Sequence, residues 1–366
     1  MYNAFKTIIT KRKSECVGFA KKEWLLVLSS FGLLLTSLYL HRLPSYSRSD
    51  FEILYILFVL FVVTTGLQKH HVVEMIARRL EQGRFIPAKL VLATFFFSML
   101  VTNDVALLAI VPLTMLLRIG RKEWLIILET LAANAGSALS PFGNPQNLFI
   151  YWFYDVPLSE FIKAIALFSA VFLVLLLAAA FTINSNGTLS KVKTRKKLSL
   201  SSFFYLGALL LFALAILHVL PFSIGWLIIL YAVIADRDSL HVDYALLITF
   251  WCFFGFTDNL HVLLTSSLSH PHHVFLLSAL LSQFISNVPA ALLLADFTTH
   301  WKSLLWGVSV GGFGSLVGSL ANLIAYRLYI QREKQRLLQF TIKFHTAGYL
   351  AFFIGVSLYL LISRAK

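Results

Sequence analysis

Apolar residues in this chain come in long unbroken runs, not in the alternation of a strand or the one-sided stripe of a surface helix. The runs 24–40, 51–68, 161–183, 201–220 and 342–362 are apolar on every side. A helix of that kind has no face to offer water, and each run has close to the ~17–25 residues needed to cross a bilayer. The pattern predicts an all-α polytopic membrane protein. Four further blocks break the rule in their middles. Blocks 90–117 and 274–298 hold a short polar knot between two apolar arms. Blocks 124–153 and 303–326 hold clusters of glycine, amide and hydroxyl residues, and in the first case prolines.

Charge orients these elements. Lysines and arginines crowd the segments facing the cytoplasm. A basic tail over 1–23 (Lys6, Lys11, Arg12, Lys13, Lys21, Lys22) sets the N-terminus inside. Span 24–40 then leaves the cytoplasm and 51–68 returns to a loop with Lys69, Arg78, Arg79, Arg84 and Lys89. Block 90–117 is basic at both ends, so a re-entrant hairpin fits it better than a span. Loop 261–272 has no Lys or Arg, and block 274–298, which starts there and ends without a basic cluster, is a second hairpin from the outside. About 25 of the 31 Lys and Arg fall on the cytoplasmic side of this map. The result is about nine spans and two hairpins. Repeat 1 occupies 24–183, with hairpin 90–117 and broken helix 124–153. A basic loop and linking span fill 184–221. Repeat 2, inverted, occupies 222–366, with hairpin 274–298 and broken helix 303–326. Inverted repeats of this kind mark transporters.

The two halves align at their interruptions. Ser140, Gly143, Asn147 and Leu148 of "SPFGNPQNL" match Ser315, Gly318, Asn322 and Leu323 of "SLVGSLANL" without gaps, and "TNDVA" (102–106) answers "SNVPA" (286–290). Non-helical backbone at membrane depth is tolerated only where it lines a cavity or is buried in protein. Pro141 and Pro145 donate nothing to a helix ladder and Gly143 permits a sharp turn. The freed half-helix ends suit an anion, and the loose carbonyls and amide oxygens suit a cation.

Composition agrees: 58% of residues are hydrophobic and 13% charged, with mean hydropathy +0.79, against about 25% charged in a soluble domain. The net charge of +14 lies in short loops and predicts topology, not nucleic-acid binding. Cys16 and Cys252 are too few for a disulfide framework. The first apolar run lacks a small-x-small cleavage site and is expected to be a retained helix.

"TND" at a hairpin tip, "SPFGNPQN" in the following broken helix, and "SNVPA" with "GSLVGSLAN" in the second half resemble the ion transporter superfamily. This group includes arsenite permeases, NhaD-type sodium/proton antiporters and citrate transporters. The resemblance runs over roughly 50–360 and is greatest to short bacterial anion permeases of the YbiR type. It implies a homodimer in the cell (inner) membrane, with a scaffold and a moving transport domain. It also implies a small anionic substrate held between two hairpin tips and two broken helices, with no cofactor besides a coupling proton or sodium ion. Carried across, the site is Thr102, Asn103 and Asp104; Ser140, Gly143, Asn144 and Asn147; Ser286 and Asn287; and Ser315, Gly318, Ser319 and Asn322, with a sodium ion at the hairpin tips as one option. The sodium–dicarboxylate branch carries Ser-Asn-Thr at both tips, whereas Asp104 and Val288 stand in the threonine places here.

Asp104 is the sharpest single feature. A mid-membrane carboxylate is costly and functional by default, and loss of water favours its neutral form, so it is a candidate proton carrier. Glu129 is a second candidate, with a helix-packing role as its alternative. A cation/proton antiporter is the competing function within the same fold. An intramembrane enzyme using Asp104 with Glu129 or Asp258 is the remote one; Asp258-Asn259 reads more simply as a span-end cap. His70 and His71 are expected inside and His270, His272 and His273 outside, solvated and not ligating metal. Segment 77–84 reads as an amphipathic surface helix.

Overall fold

Runs with no competing hydrogen-bonding side chains become α-helices, because in an apolar medium the helix satisfies each backbone amide within its own segment. The computed structural model describes residues 23–72, 75, 84–117, 119–183, 199–263 and 268–364, all helix, turn or loop with no strand. Most of the basic tail, most of the expected surface helix over 77–84 and all of 184–198 lie outside the described residues.

Among the described residues, four segments are long and apolar enough to cross a membrane alone: Arg48–Lys69, Leu158–Phe181, Arg237–Leu263 and Leu337–Arg364. Some of their large apolar side chains face outward, as Val174, Leu338 and Phe353 do, each more than 60% exposed, while others such as Ile53, Phe168 and Phe340 are buried against neighbouring helices. The protein is a multi-pass membrane protein. The other apolar helices are shorter, and the expected spans 124–153 and 303–326 exist only as pairs of half-helices.

The residues divide into two units. The first comprises 1–54 and 243–266. In it α1 (Trp24–Leu40) packs on α10 (Tyr244–Leu263). Asn259, fully buried, donates to Thr36 Oγ1 (3.1 Å) and Ser37 Oγ (2.9 Å) and accepts from Arg42 Nε (3.1 Å). Asp258 pairs with the Arg42 guanidinium and accepts from the Ser45 amide (2.8 Å). Asp258-Asn259 is therefore not a cap. It lies inside α10 and ties that helix to the loop after α1, a link between positions more than 200 residues apart that no local pattern predicts.

The second unit comprises 55–242 and 267–366. Helix α2 (Arg48–Lys69) leads into it. Hairpin 1 is α3 (Ile86–Val101) and α4 (Asn103–Leu116), and broken helix 1 is α5 (Lys122–Ser137) and α6 (Pro145–Phe153), followed by α7 (Leu158–Phe181). After α8 (Leu200–Ile216) and α9 (Gly225–Ala235) the series returns. Hairpin 2 is α11 (Pro271–Ile285) and α12 (Asn287–Ala295), broken helix 2 is α13 (Trp301–Gly311) and α14 (Leu320–Arg332), and α15 (Leu337–Arg364) closes the chain. Packing repeats with the order: α3 lies on α5 as α11 lies on α13. Each second hairpin arm also crosses to the other repeat, α4 onto α14 and α12 onto α6.

His70 is not a solvated loop histidine. Its Nε2 lies 3.0 Å from Asp236 and its Nδ1 3.2 Å from Ser199 Oγ, while Lys69 also pairs with Asp236. Burial pushes the Asp236 carboxyl up, but the hydrogen bonds from Lys69 and His70 outweigh it and hold the group below the usual aspartate range.

The first arms meet their broken helices at glycines, Gly136 in the first repeat and Gly307 and Gly311 in the second. A β-carbon on Gly136 would stand 2.2 Å from the Phe95 carbonyl oxygen, and one on Gly311 would stand 2.4 Å from Ser282 Cβ. Gly136→Ala is expected to destabilise the protein by about 1–3 kcal/mol through overpacking. At Gly207, where an added β-carbon meets nothing within 4 Å, the same change should be neutral or stabilising. Thermal unfolding of both variants in detergent checks the contrast.

Candidate functional site

Both hairpins turn on a single residue. Thr102 has φ 89° and ψ 150°, and Ser286 has φ 75° and ψ 157°. This region is held almost only by glycine and costs of order 1–3 kcal/mol for other residues. Two non-glycine residues at matching places in two repeats carry the same strain. The turns point the next amide at the broken helix of the same repeat: Asn103 N donates to Gly143 O (3.1 Å) and Asn287 N to Gly318 O (3.0 Å).

The broken helices are built alike. The Gly143 amide donates to Ser140 O (3.3 Å) and that of Gly318 to Ser315 O (3.2 Å). Asn144 and Ser319 then lie in extended backbone, at φ −150° and −148°, and start α6 and α14. Asn147 Nδ2 donates to the carbonyls of Ser137 (2.9 Å), Ala138 (3.2 Å) and Ser140 (3.1 Å). Asn322 Nδ2 donates to those of Gly312 (3.0 Å) and Ser315 (2.9 Å). Each asparagine thus caps the carbonyl end of the half-helix before it while standing in the first turn of the next.

One residue links the two interrupted helices. Asn134 Oδ1 accepts from Asn103 Nδ2 (3.2 Å), and its Nδ2 donates to Asn322 Oδ1 (2.9 Å). Four half-helix N-termini, those of α4, α6, α12 and α14, are brought to this connected region by the Gly143, Gly318 and Asn134 links and by the α4–α14 and α12–α6 packing. Asp104 occupies the first turn of α4, partly buried, its amide bonded to Asn103 Oδ1 (2.9 Å). Ser140, Gly143, Asn144, Asn147, Ser315, Gly318, Ser319 and Asn322 all lie in or beside the two interruptions. Glu129 stands apart, in the body of α5. Asp258 belongs to the other unit.

Sequence reasoning passed over three site residues. Asn134 is the bridge. Ser137 Oγ accepts from Asn144 Nδ2 (2.6 Å). Gln283 accepts from the Ser315 amide (2.9 Å) and donates to Gly311 O (2.9 Å). Polar residues about one turn before the first break and before the second hairpin tip were the available signal.

The repeat is inexact where Asn134 stands. In the register pairing Asn147 with Asn322, its twin is Ser309, a much shorter side chain. Asn147 Oδ1 and Ser309 Oγ are both buried without a hydrogen-bond partner among the described residues, as is Gln146 Oε1. A cavity of about 440 Å³ beside Trp24, Val27, Leu28 and Phe31 is lined almost wholly by apolar surface and offers nothing to hold an ion. Among the described residues no three or more His, Cys, Asp or Glu cluster as a metal site would need.

Residues 22–311 match the family model described as "Citrate transporter". The uncharacterized transporter MJ0456 of Methanocaldococcus jannaschii is 32% identical over 315 residues, 83% of this chain and 88% of that protein. The inner membrane protein YbiR of Escherichia coli is 35% identical over 300 residues, 75% and 78% of the respective chains. The silicon efflux transporter LSI3 of rice is 31% identical over 129 residues, 33% of this chain and 26% of LSI3.

Two substitutions separate the parts of the site. Asn134→Ala leaves Asn103 Nδ2 and Asn322 Oδ1 buried and unmatched, and should cost about 1–3 kcal/mol for each group left without a partner. Thr102→Gly relaxes the hairpin turn and should raise the unfolding temperature, the gain being reduced by the looser unfolded chain. Melting curves of the two purified variants should move in opposite directions.

Proposed function

We propose that this chain, which belongs to the citrate transporter family, is a secondary active transporter for a small inorganic or organic anion. The observation that carries the reading is the convergence of four half-helix N-termini on two interrupted helices. Their summed partial positive charge forms an anion site that needs no Lys or Arg. The substrate rests between Asn103 and Asn287 of the hairpin tips and the 140–147 and 315–322 segments, which explains why small amides and hydroxyls fill both. Alternating access proceeds by movement of the hairpins and broken helices as a body in a homodimer of the cell (inner) membrane, with a cytoplasmic N-terminus and a proton or sodium ion as driving ion.

Sodium coupling has its own support. Gln146 Oε1, Asn147 Oδ1 and Ser309 Oγ are buried oxygens without partners among the described residues, and uncharged oxygen ligands suit a hard cation. Asp104, at the tip of hairpin 1, adds the charge that a cation/proton antiporter would use and is the second reading.

Purified protein in liposomes, tested with citrate, silicate, phosphate and arsenite under imposed proton or sodium gradients, discriminates these. Gradient-driven accumulation of one of these solutes is expected. Movement of sodium against protons with none of the four solutes transported would replace the anion reading by the antiporter. Asp104→Asn removes a charge from the tip and should change the dependence of uptake on the driving ion, measured as initial rate against gradient size. An unchanged dependence would take Asp104 out of the coupling site.

A further inference from the structure

Glu129 is 0% exposed, in the body of α5. Its Oε1 is hydrogen-bonded by Thr114 Oγ1 of α4, and its Oε2 has no hydrogen-bond partner among the described residues. Helices α3, α4, α7, α14 and α15 pack on α5. Their titratable and charged residues are Lys89; Asp104; Glu160 and Lys163; Tyr326, Arg327, Tyr329 and Arg332; and Lys343, His345, Tyr349, Tyr359 and Arg364. Lys122 and Glu123 lie on α5 itself. Among the described residues none of these forms an ion pair with Glu129. Lys343 is taken by Glu123 (2.7 Å), Lys163 by Glu160 (3.4 Å), and Lys122 by the Met115 carbonyl (2.8 Å).

The fold does not require a carboxyl at this place. In the register that pairs Asn147 with Asn322, the twin of Glu129 is Leu304, also 0% exposed. One repeat fills the position with a hydrocarbon and the other with an acid whose burial is costly unless it is neutral or paired. Asp104 and Glu129 differ in setting. Asp104 stands at a half-helix N-terminus, which favours negative charge. Glu129 has one hydroxyl for company.

We propose that Glu129 is a proton-binding site of the transport cycle, occupied in the described conformation and emptied in another. This rests on the transporter reading above. An O–H bond forms on Glu129 as a proton arrives from water on one side of the membrane, and it breaks as the proton leaves to water on the other. Thr114 serves both forms, since its hydroxyl donates to the carboxylate and accepts from the acid. The contact joins the second hairpin arm α4 to α5, which runs on to Asn134. Loading the proton therefore acts on the same helix pair that carries Asn103 and the Asn134 bridge.

The test begins with the proton itself. Infrared spectra of the full chain in lipid at neutral pH should show a carboxylic-acid C=O band that is lost in Glu129→Gln and retained in Asp104→Asn. Glu129→Leu, which copies the twin, should fold with an unfolding temperature no lower than wild type and also lack the band. Absence of the band from the wild type, or its persistence in Glu129→Gln, overturns the proposal. A gradient of one pH unit can drive at most about tenfold accumulation in a one-proton cycle. With citrate, silicate, phosphate and arsenite as probes, wild type should accumulate a transported probe toward that limit and Glu129→Gln should lose the accumulation. Retained accumulation in Glu129→Gln overturns the proposal, as does wild-type uptake that follows sodium and ignores pH; both leave the transporter reading intact. If none of the probes moves, the transporter reading fails, and the infrared band still decides whether Glu129 holds a proton.

Discussion

A helix that stops halfway through an apolar slab leaves carbonyls with nothing to bond, and each must find a donor within the protein. Asn147 and Asn322 supply those donors. Each reaches back 7 and 10 residues, to Ser140 and Ser137 in one repeat and to Ser315 and Gly312 in the other. With the carbonyl ends closed by a side chain, the amide ends of α6 and α14 are left to face the hairpin tips. The carbonyl ends are matched within each repeat, while Gln146 Oε1, Asn147 Oδ1 and Ser309 Oγ stay buried without a hydrogen-bond partner among the described residues.

The hairpins serve the same constraint from the other direction. Thr102 and Ser286 hold unfavourable backbone so that Asn103 and Asn287 can donate to Gly143 and Gly318. Strain at a tip is tolerable because Gly136 and Gly311 let the first arms lie directly against the broken helices, fixing where each tip falls. Close packing, strained turn and matched carbonyl form one arrangement, built twice.

Much of this was legible in the sequence where chemistry is local. Runs without polar residues could be nothing but helices in lipid, and the Ser-x-x-Gly-x-x-x-Asn match put equivalent backbone at equivalent places. The tips were legible as polar knots, though not their geometry: threonine and serine give no hint of positive φ, which normally calls for glycine. Asn134 was hard to see because its role has no copy in the other repeat, and its partners lie 31 and 188 positions away. Asp236 with His70 and Arg42 with Asp258 were invisible for the same reason. A charge pair between remote segments leaves no periodic trace, so residues that look like loop decoration turn out to hold helix ends together.

The exchange of Asn134 for Ser309 bears on direction. Two identical halves of opposite orientation would make the molecule indifferent to which side of the bilayer is which, and its two end states would have equal energy apart from the solutions they face. Here one half carries a bridge that reaches the partner asparagine, and the other ends in a hydroxyl too short to do so. On the transporter reading proposed above, the bonds that an ideal repeat would exchange when the cycle reverses could not be exchanged, and the two end states would differ in energy even with identical solutions on both sides.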